Sequence, residues 1–148
     1  MQPQGTAVTP PRVATLVAIT EEATHALGGR SGVPVTTFPF RVGRERRVGA
    51  PAYPTSGELR LGVESPLNDF YLPDPARKHL HISAKHFAVE YVDETFFLRD
   101  RGSACGTIVA GQRIGGKRKG GRIKLRSGDE IVIGTDTSPY VFRFEVAG

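Results

Sequence analysis

The chain has 148 residues, of which 39% are hydrophobic and 24% charged, and its formal net charge is +5. This length suits one ordinary domain with a single core. No stretch approaches the roughly 18 to 20 apolar residues that span a bilayer, so a soluble protein is expected. The first residues do not have the pattern of a secretory signal, and a cytoplasmic location is expected. A single cysteine, Cys105, excludes an internal disulfide and a cysteine-cluster metal site.

Residues 1–11 are polar and rich in proline and threonine, which predicts a disordered N-terminal arm ahead of one domain over residues 12–148. Across the chain, 18 glycines and 11 prolines separate runs of β-branched and aromatic residues, a rhythm typical of an all-β domain. No helix is predicted. The predicted strands cover residues 13–19, 33–43, 69–72, 85–92, 95–100, 106–111, 122–125, 129–134 and 140–147.

The last predicted strand alternates most clearly. Tyr140, Phe142 and Phe144 fall on one face, and Arg143 and Glu145 fall on the other. This period of two predicts a sheet with one buried face and one face in water.

Two segments read as loops. Residues 45–68 contain three prolines and three glycines and show little alternation beyond a possible short strand at 58–63. A loop of that length is uncommon in a compact domain and is more often functional than idle. The second segment, 115–121, has the sequence GGKRKGG, so its glycines predict flexibility and its centre is positively charged.

The excess positive charge is concentrated in two clusters of lysine and arginine within the ranges 41–47 and 113–126. Both clusters lie beside glycines, where side chains usually point to water. Two interpretations follow. The clusters are either solvated surface that keeps the protein soluble, or a site for phosphate, nucleic acid or an acidic membrane surface.

A serine and a histidine three residues apart, Ser83 and His86, raise the possibility of a hydrolase, with Asp100 and Cys105 as further candidates. At the entrance to a predicted strand, Ser83 and His86 are expected to project to opposite faces. No strand–turn–helix nucleophile elbow surrounds Ser83, and nothing identifies an oxyanion hole. The sequence therefore predicts that the protein is not an enzyme.

Four short motifs are more informative in their order than singly. They are Gly43-Arg44 at the end of a strand, Ser83-x-x-His86 before another, the GSACGT segment at 102–107, and LxxGDxIxIG at 125–134. Together they resemble the forkhead-associated (FHA) domain family over roughly residues 12–147. The resemblance implies a sandwich of two antiparallel sheets with about eleven strands, whose loops at one end bind phosphothreonine in a partner protein. It implies no catalysis, no cofactor and no metal.

The resemblance also implies roles for individual residues. Arg44 stands where the family arginine contacts phosphate, and Ser83 stands where the family serine hydrogen-bonds a phosphate oxygen. His86 is expected to brace the binding loops rather than touch phosphate, and a neutral imidazole suits that role because it donates at one nitrogen and accepts at the other. Structural support is likewise expected from Gly43, Gly106 and Thr107.

Three of the five expected ligand positions lack their polar group. Ala84 replaces a residue that is often arginine, lysine or asparagine in the family. Ala104 replaces a serine or threonine, and Cys105 replaces an asparagine. These three residues are predicted to line the pocket through their backbone amides, with Arg46 and Arg47 as auxiliary phosphate ligands.

The expected partner is a protein that carries phosphothreonine and is therefore a kinase substrate; no small-molecule substrate and no membrane are expected. One alternative is an FHA-like scaffold that binds a partner or a second copy of itself without phosphate. Another is a nonspecific nucleic-acid binder that uses the basic residues of 117–126. That loop has no aromatic ring on which a base could stack, which makes nucleic acid the weaker alternative.

Overall fold

In the part of the chain that the computed structural model describes, alternating apolar and polar residues form eleven strands in two sheets, together with one short helix. The structure describes residues 13–45, 68–74 and 80–147. The predicted disordered arm at 1–11 and most of the predicted loop at 45–68, including Arg46 and Arg47, lie outside the described residues. Within those ranges, no helix has the length and apolar character needed to cross a membrane.

The strands and the helix are numbered in chain order. They are β1 (Ala14–Ala18), α1 (Glu21–Ala26), β2 (Gly32–Val35), β3 (Phe40–Arg44), β4 (Phe70–Leu72), β5 (Phe87–Val92), β6 (Thr95–Asp100), β7 (Thr107–Val109), β8 (Gln112–Ile114), β9 (Gly121–Leu125), β10 (Glu130–Ile133) and β11 (Val141–Val146). The six-stranded sheet has the order β2-β1-β11-β10-β7-β8, and the five-stranded sheet has the order β4-β3-β5-β6-β9. The all-β class and the two-sheet architecture predicted from the sequence are confirmed.

Apolar side chains from both sheets form one core. In β11, Phe142 and Phe144 are buried while Arg143 and Glu145 are partly exposed, as the alternation predicted. Phe87 of β5 and residues of the opposite sheet join the same buried cluster. Burial of apolar surface of this kind, at about 25 cal/mol per Å², is the main source of stability in such a sandwich.

The helix α1 is a correction to the sequence prediction, which placed no helix. Thr20 caps its N-terminus by accepting a hydrogen bond from the N–H of Ala23. At the other end the N–H of Gly29 bonds to the carbonyl of Thr24, and Gly28 has a positive φ of 69°. Caps of this kind satisfy the free ends of a helix. With six residues, α1 is too short to show a helical hydrophobic period.

Four predictions about the strands also need correction. The predicted strand at 33–43 is two strands, β2 and β3, which belong to different sheets. The strand predicted to start at residue 85 starts at Phe87, and the short strand β8 was not predicted. The pairing of β3 with β4 is parallel, whereas an antiparallel arrangement was expected throughout.

Strand register brings the last residues of β3, β4 and β6 and the first residues of β5 and β9 to one end of the five-stranded sheet. Phe87 at the start of β5 pairs with Asp100 at the end of β6, and Asp100 pairs with Gly121 at the start of β9. Arg44 at the end of β3 pairs with Leu72 at the end of β4. The ends of these strands therefore carry the candidate site residues into one region.

Candidate functional site

Arg44 lies directly beside the segment that contains Ser83. Its backbone N–H donates to the carbonyl of Ser83 at 2.9 Å, and its guanidinium Nη1 donates to the carbonyl of Ile82 at 2.9 Å. Arg44 and Ser83 are both partly exposed, so water or a ligand can reach them. The structure thus brings Arg44 and the backbone of the Ser83 segment together across 39 positions of the chain.

Gly43 allows this close approach. A Cβ atom at this position would lie 2.0 Å from the carbonyl oxygen of Ala84, far inside van der Waals contact. The same carbonyl accepts a hydrogen bond of 2.8 Å from Nδ2 of Asn68, which is completely buried. Any side chain at residue 43 would therefore push the segment of Ser83 and Ala84 away from Arg44.

Asp74 holds the start of that segment from the other side. One carboxylate oxygen accepts hydrogen bonds from the N–H groups of His81 and Ile82, at 2.7 and 3.0 Å. The other accepts from the hydroxyl of Tyr140 at 3.1 Å. Burial and the neighbouring carboxylate raise the pKa of Tyr140, so this hydroxyl keeps its proton and donates it. The carbonyl of Ile82 that meets Arg44 is positioned by these bonds.

His86 is fully buried and connects two of the loops. Its Nδ1 accepts a hydrogen bond of 2.9 Å from the N–H of Ser83, so the proton resides on Nε2, which donates to the carbonyl of Gly106 at 2.8 Å. Burial lowers the pKa of His86, which favours this neutral form. The ring therefore ties the Ser83 segment to the Gly106 turn and does not face solvent.

The side chains of Ser83, His86 and Asp100 do not form a catalytic triad. The imidazole of His86 bonds to the backbone N–H of Ser83, while Ser83 Oγ accepts a hydrogen bond of 3.0 Å from the N–H of Ala104. The sequence predicted that Ser83 and His86 project to opposite faces of a strand. That reason does not apply, because both residues precede β5. Among the described residues no base contacts the Ser83 hydroxyl.

Asp100 organises the loop between β6 and β7. Its Oδ1 accepts from the N–H groups of Gly102 and Ser103, and its Oδ2 accepts from the hydroxyls of Ser103 and Thr107, at distances of 2.6 to 3.0 Å. Asp100 is 2% exposed. Ser103 Oγ in turn accepts from the N–H of Gly106 at 2.9 Å. One buried carboxylate therefore fixes the turn that presents Ala104 and Cys105.

The three backbone amides predicted to line the pocket differ in availability. The N–H of Ala104 is already used by Ser83 Oγ. In the described part of the chain, the N–H groups of Ala84 and Cys105 have no acceptor, and both residues are partly exposed. Two of the three amides are therefore without an acceptor among the described residues, and the third holds the Ser83 side chain.

The sequence prediction missed Asn68, Asp74 and the structural role of Asp100. Asn68 also accepts a hydrogen bond of 2.6 Å from Nη1 of Arg101, which ties the Ala84 carbonyl to the β6–β7 loop. The role of Asp100 had a signal, because alternation in β6 places it on the buried face with Phe96 and Leu98. The roles of Asn68 and Asp74 depend on contacts distant in sequence and left no local pattern.

Comparison with known proteins identifies the family. The model of the FHA domain matches residues 41–134. No curated protein matches significantly. EmbR of Mycobacterium tuberculosis, in complex with a low-affinity phosphopeptide, is 22% identical with a TM-score of 0.56, and the match covers 93% of this chain and 25% of that chain.

Two further solved structures cover nearly the same part of the chain. The FHA domain of a hypothetical Arabidopsis thaliana protein is 17% identical with a TM-score of 0.59, over 96% of this chain and 94% of that chain. A domain studied for phosphothreonine-dependent FHA interactions is 17% identical with a TM-score of 0.57, over 92% and 98%. With the family model matching well over half of the sequence, the chain belongs to the FHA domain family.

Proposed function

We propose that this protein recognises phosphothreonine in a partner protein, with the phosphate held between Arg44 and Ser83. The observation that supports the proposal most directly is the pair of hydrogen bonds from Arg44 to the carbonyls of Ile82 and Ser83. A phosphate at this place would meet a guanidinium, a hydroxyl and the N–H groups of Ala84 and Cys105 on a rigid frame. Phosphothreonine carries a charge of about −1.5 to −2 and three acceptor oxygens. Cationic, hydroxyl and amide donors can form hydrogen bonds to these oxygens.

The similar structures support the same proposal. EmbR was solved with a phosphopeptide, and another relative was studied for phosphothreonine-dependent interactions. The partner would be the substrate of a protein kinase, and the domain would take part in signalling or assembly in the cytoplasm rather than in catalysis.

Affinity is expected to be modest because Ala84, Ala104 and Cys105 replace polar residues of the family pattern. Each neutral hydrogen bond that is lost weakens binding by about 0.5 to 1.5 kcal/mol, and each bond to a charged group by about 1.5 to 3 kcal/mol. Hydrogen bonds from the backbone amides of Ala84 and Cys105 would offset part of this loss of binding free energy. The same substitutions favour the second candidate, an FHA scaffold that binds its partner without phosphate.

The decisive test is retention of the purified protein on a degenerate peptide library with a fixed phosphothreonine, against the same library with threonine. We expect binding to the phosphorylated library only. Arg44→Ala should weaken it about tenfold or more, from the loss of a charged hydrogen bond. Arg126→Ala, an exposed arginine that follows β9, is the matched control and should bind as the wild type does.

Equal retention of the two libraries would favour the phosphate-independent scaffold. Wild-type protein that retains no phosphothreonine peptide would refute the proposal. Thermal unfolding of each variant distinguishes loss of a ligand from loss of fold.

A further inference from the structure

The basic segment 115–121 is packed against the loop that presents Ala104 and Cys105. The N–H of Lys117 donates to the carbonyl of Ala104 at 2.9 Å, and the N–H of Arg118 donates to the carbonyl of Ser103 at 3.0 Å. Arg113 reaches the same loop from β8, with Nη2 at 3.2 Å from the carbonyl of Cys105. The flexible basic loop expected from the glycines is therefore a turn bonded to the candidate site.

The turn has an unusual backbone. Lys117 and Arg118 have positive φ values of 52° and 62°, and the N–H of Lys119 bonds to the carbonyl of Gly116 at 3.1 Å. These features define a type I′ turn, whose central positions are usually glycine, asparagine or aspartate. Lysine and arginine adopt this conformation only at a cost, and such strain is often found at functional sites.

Gly115, which precedes the turn in the chain, lies against the carboxylate of Asp100. A Cβ atom at residue 115 would be 2.4 Å from Cγ of Asp100. The same carboxylate bonds to Ser103, so the basic segment and the loop that carries Ala104 and Cys105 both pack against Asp100. The two therefore keep a fixed relative position.

Lys117 and Arg118 differ from most arginines of the strands, which are paired with an acidic side chain. Arg41 pairs with Asp69 at 2.9 Å, Arg122 pairs with Glu90 at 3.1 Å, and Arg143 pairs with Glu145 at 2.6 Å. Over the residues that the structure describes, the side chains of Lys117 and Arg118 have no hydrogen-bond or ionic partner, and both are exposed. Their charge is thus available to an external anion.

We propose that Lys117 and Arg118 form a second anion subsite, which selects an acidic group close to the phosphothreonine in the bound peptide. This inference rests on the proposed function. Successive residues of an extended peptide advance by about 3.3 Å, so a side chain within a few residues of the phosphothreonine would pass over Ala104 and meet the turn. The acidic group is the carboxylate of glutamate or aspartate, or a second phosphate.

The test is a positional scan of one phosphothreonine peptide selected from the library, with alanine at all flanking positions. Glutamate, and in a second series phosphoserine, replaces alanine at one position at a time on both sides. Wild-type protein should bind at least one glutamate peptide about two- to fivefold more tightly than the alanine peptide, and the matching phosphoserine peptide more tightly still. Higher salt should reduce both gains.

The variant Lys117→Asn with Arg118→Asn removes two charges and keeps residues that tolerate positive φ. It should lose the acidic preference while its affinity for the alanine-flanked peptide stays within about twofold of the wild type. The control variant Lys124→Gln with Arg126→Gln removes two charges toward the other end of β9, where Leu125 pairs with Phe96. It should keep the preference.

Several results would overturn the inference, and they can be told apart. If the alanine-flanked phosphothreonine peptide binds but acidic flanks bring no gain, or the turn variant keeps the gain, the subsite alone is refuted. If no phosphothreonine peptide binds, the proposed function fails and the subsite with it. If a single-stranded oligonucleotide binds through Lys117 and Arg118 while acidic flanks have no effect, the turn is a nucleic-acid site instead.

Discussion

The carboxylate of Asp100 bonds to Ser103 twice, through its N–H at 2.8 Å and through its hydroxyl at 2.6 Å. These two bonds determine the course of the loop that carries Ala104 and Cys105. A loop built on one buried carboxylate loses its conformation when that side chain is replaced, because buried donors are then left poorly satisfied.

Asp100→Asn is therefore expected to lower the free energy of unfolding by about 2 to 4 kcal/mol and to weaken phosphothreonine binding as well. Urea unfolding measures the first effect and peptide titration the second. Asp136→Asn, an exposed acid in the loop between β10 and β11, is the control and should change neither. An Asp100→Asn variant as stable as the wild type would contradict this role.

Gly43→Ala should separate Arg44 from the segment of Ser83, because the new Cβ would meet the carbonyl of Ala84 at 2.0 Å. We expect a loss of about 1 to 3 kcal/mol or more in stability, as for other overpacked sites, together with weaker phosphopeptide binding. Gly28→Asn, at the end of α1, is the control. No atom lies within 4 Å of a Cβ there, and asparagine tolerates its positive φ, so that variant should behave as the wild type. Full binding by Gly43→Ala would show that the close approach is unnecessary.

Most of the strands could be predicted from sequence because they depend on local patterns. Alternation of apolar residues marks β6 and β11, whereas the roles of Arg44 and Ser83 were predicted from the resemblance to the FHA family. The helix α1 was missed because six residues show no helical period, although Thr20 and the following glycines carried its capping signals.

The hydrogen bonds that hold the loops of the candidate site could not be predicted, because they join residues far apart in sequence. Asn68 reaches the carbonyl of Ala84 across 16 positions, and Tyr140 reaches Asp74 across 66 positions. The hydrogen bond from Lys117 of the basic turn to Ala104 likewise joins residues that are not neighbours in sequence. Sequence alone indicates which residues are polar or basic, and only the fold shows which loop they touch.

Stability should depend on pH through His86. Burial lowers its pKa in the folded protein, whereas in the unfolded chain the pKa of a histidine is about 6.5. As pH falls below about 6.5 the unfolded chain takes up a proton that the folded protein does not, so stability decreases by up to about 1.4 kcal/mol per pH unit. The loss continues until pH reaches the lower pKa of the folded state.

Urea unfolding at pH 7.5, 6.5 and 5.5 measures this dependence. His86→Gln should be less stable at pH 7.5 and should show a smaller decrease between pH 6.5 and 5.5. His25→Gln, an exposed histidine of α1, is the control and should follow the wild type. A wild-type stability that stays constant down to pH 5.5 would be incompatible with a buried neutral imidazole.

Cys105→Asn should strengthen phosphothreonine binding. Under the proposed function, Cys105 takes the place of an asparagine that would hydrogen-bond the partner's backbone, and its thiol is a weak donor and acceptor. An amide that restores one hydrogen bond is expected to raise affinity about two- to tenfold in peptide titrations. Cys105→Ala, which removes the thiol without adding an amide, should bind no more tightly than the wild type. An equal or larger gain with alanine would show that the size of the side chain, and not its polarity, limits the site.

The central claim is that one phosphate meets Arg44, Ser83 and the free amides of Ala84 and Cys105. It is tested most directly by amide chemical shifts of isotope-labelled protein during titration with the phosphothreonine library and with the threonine library. We predict large shifts of the Ala84 and Cys105 amides with the phosphorylated library alone, and no shift at Ser127 toward the other end of β9. Unchanged Ala84 and Cys105 signals, or equal shifts with both libraries, would contradict the account.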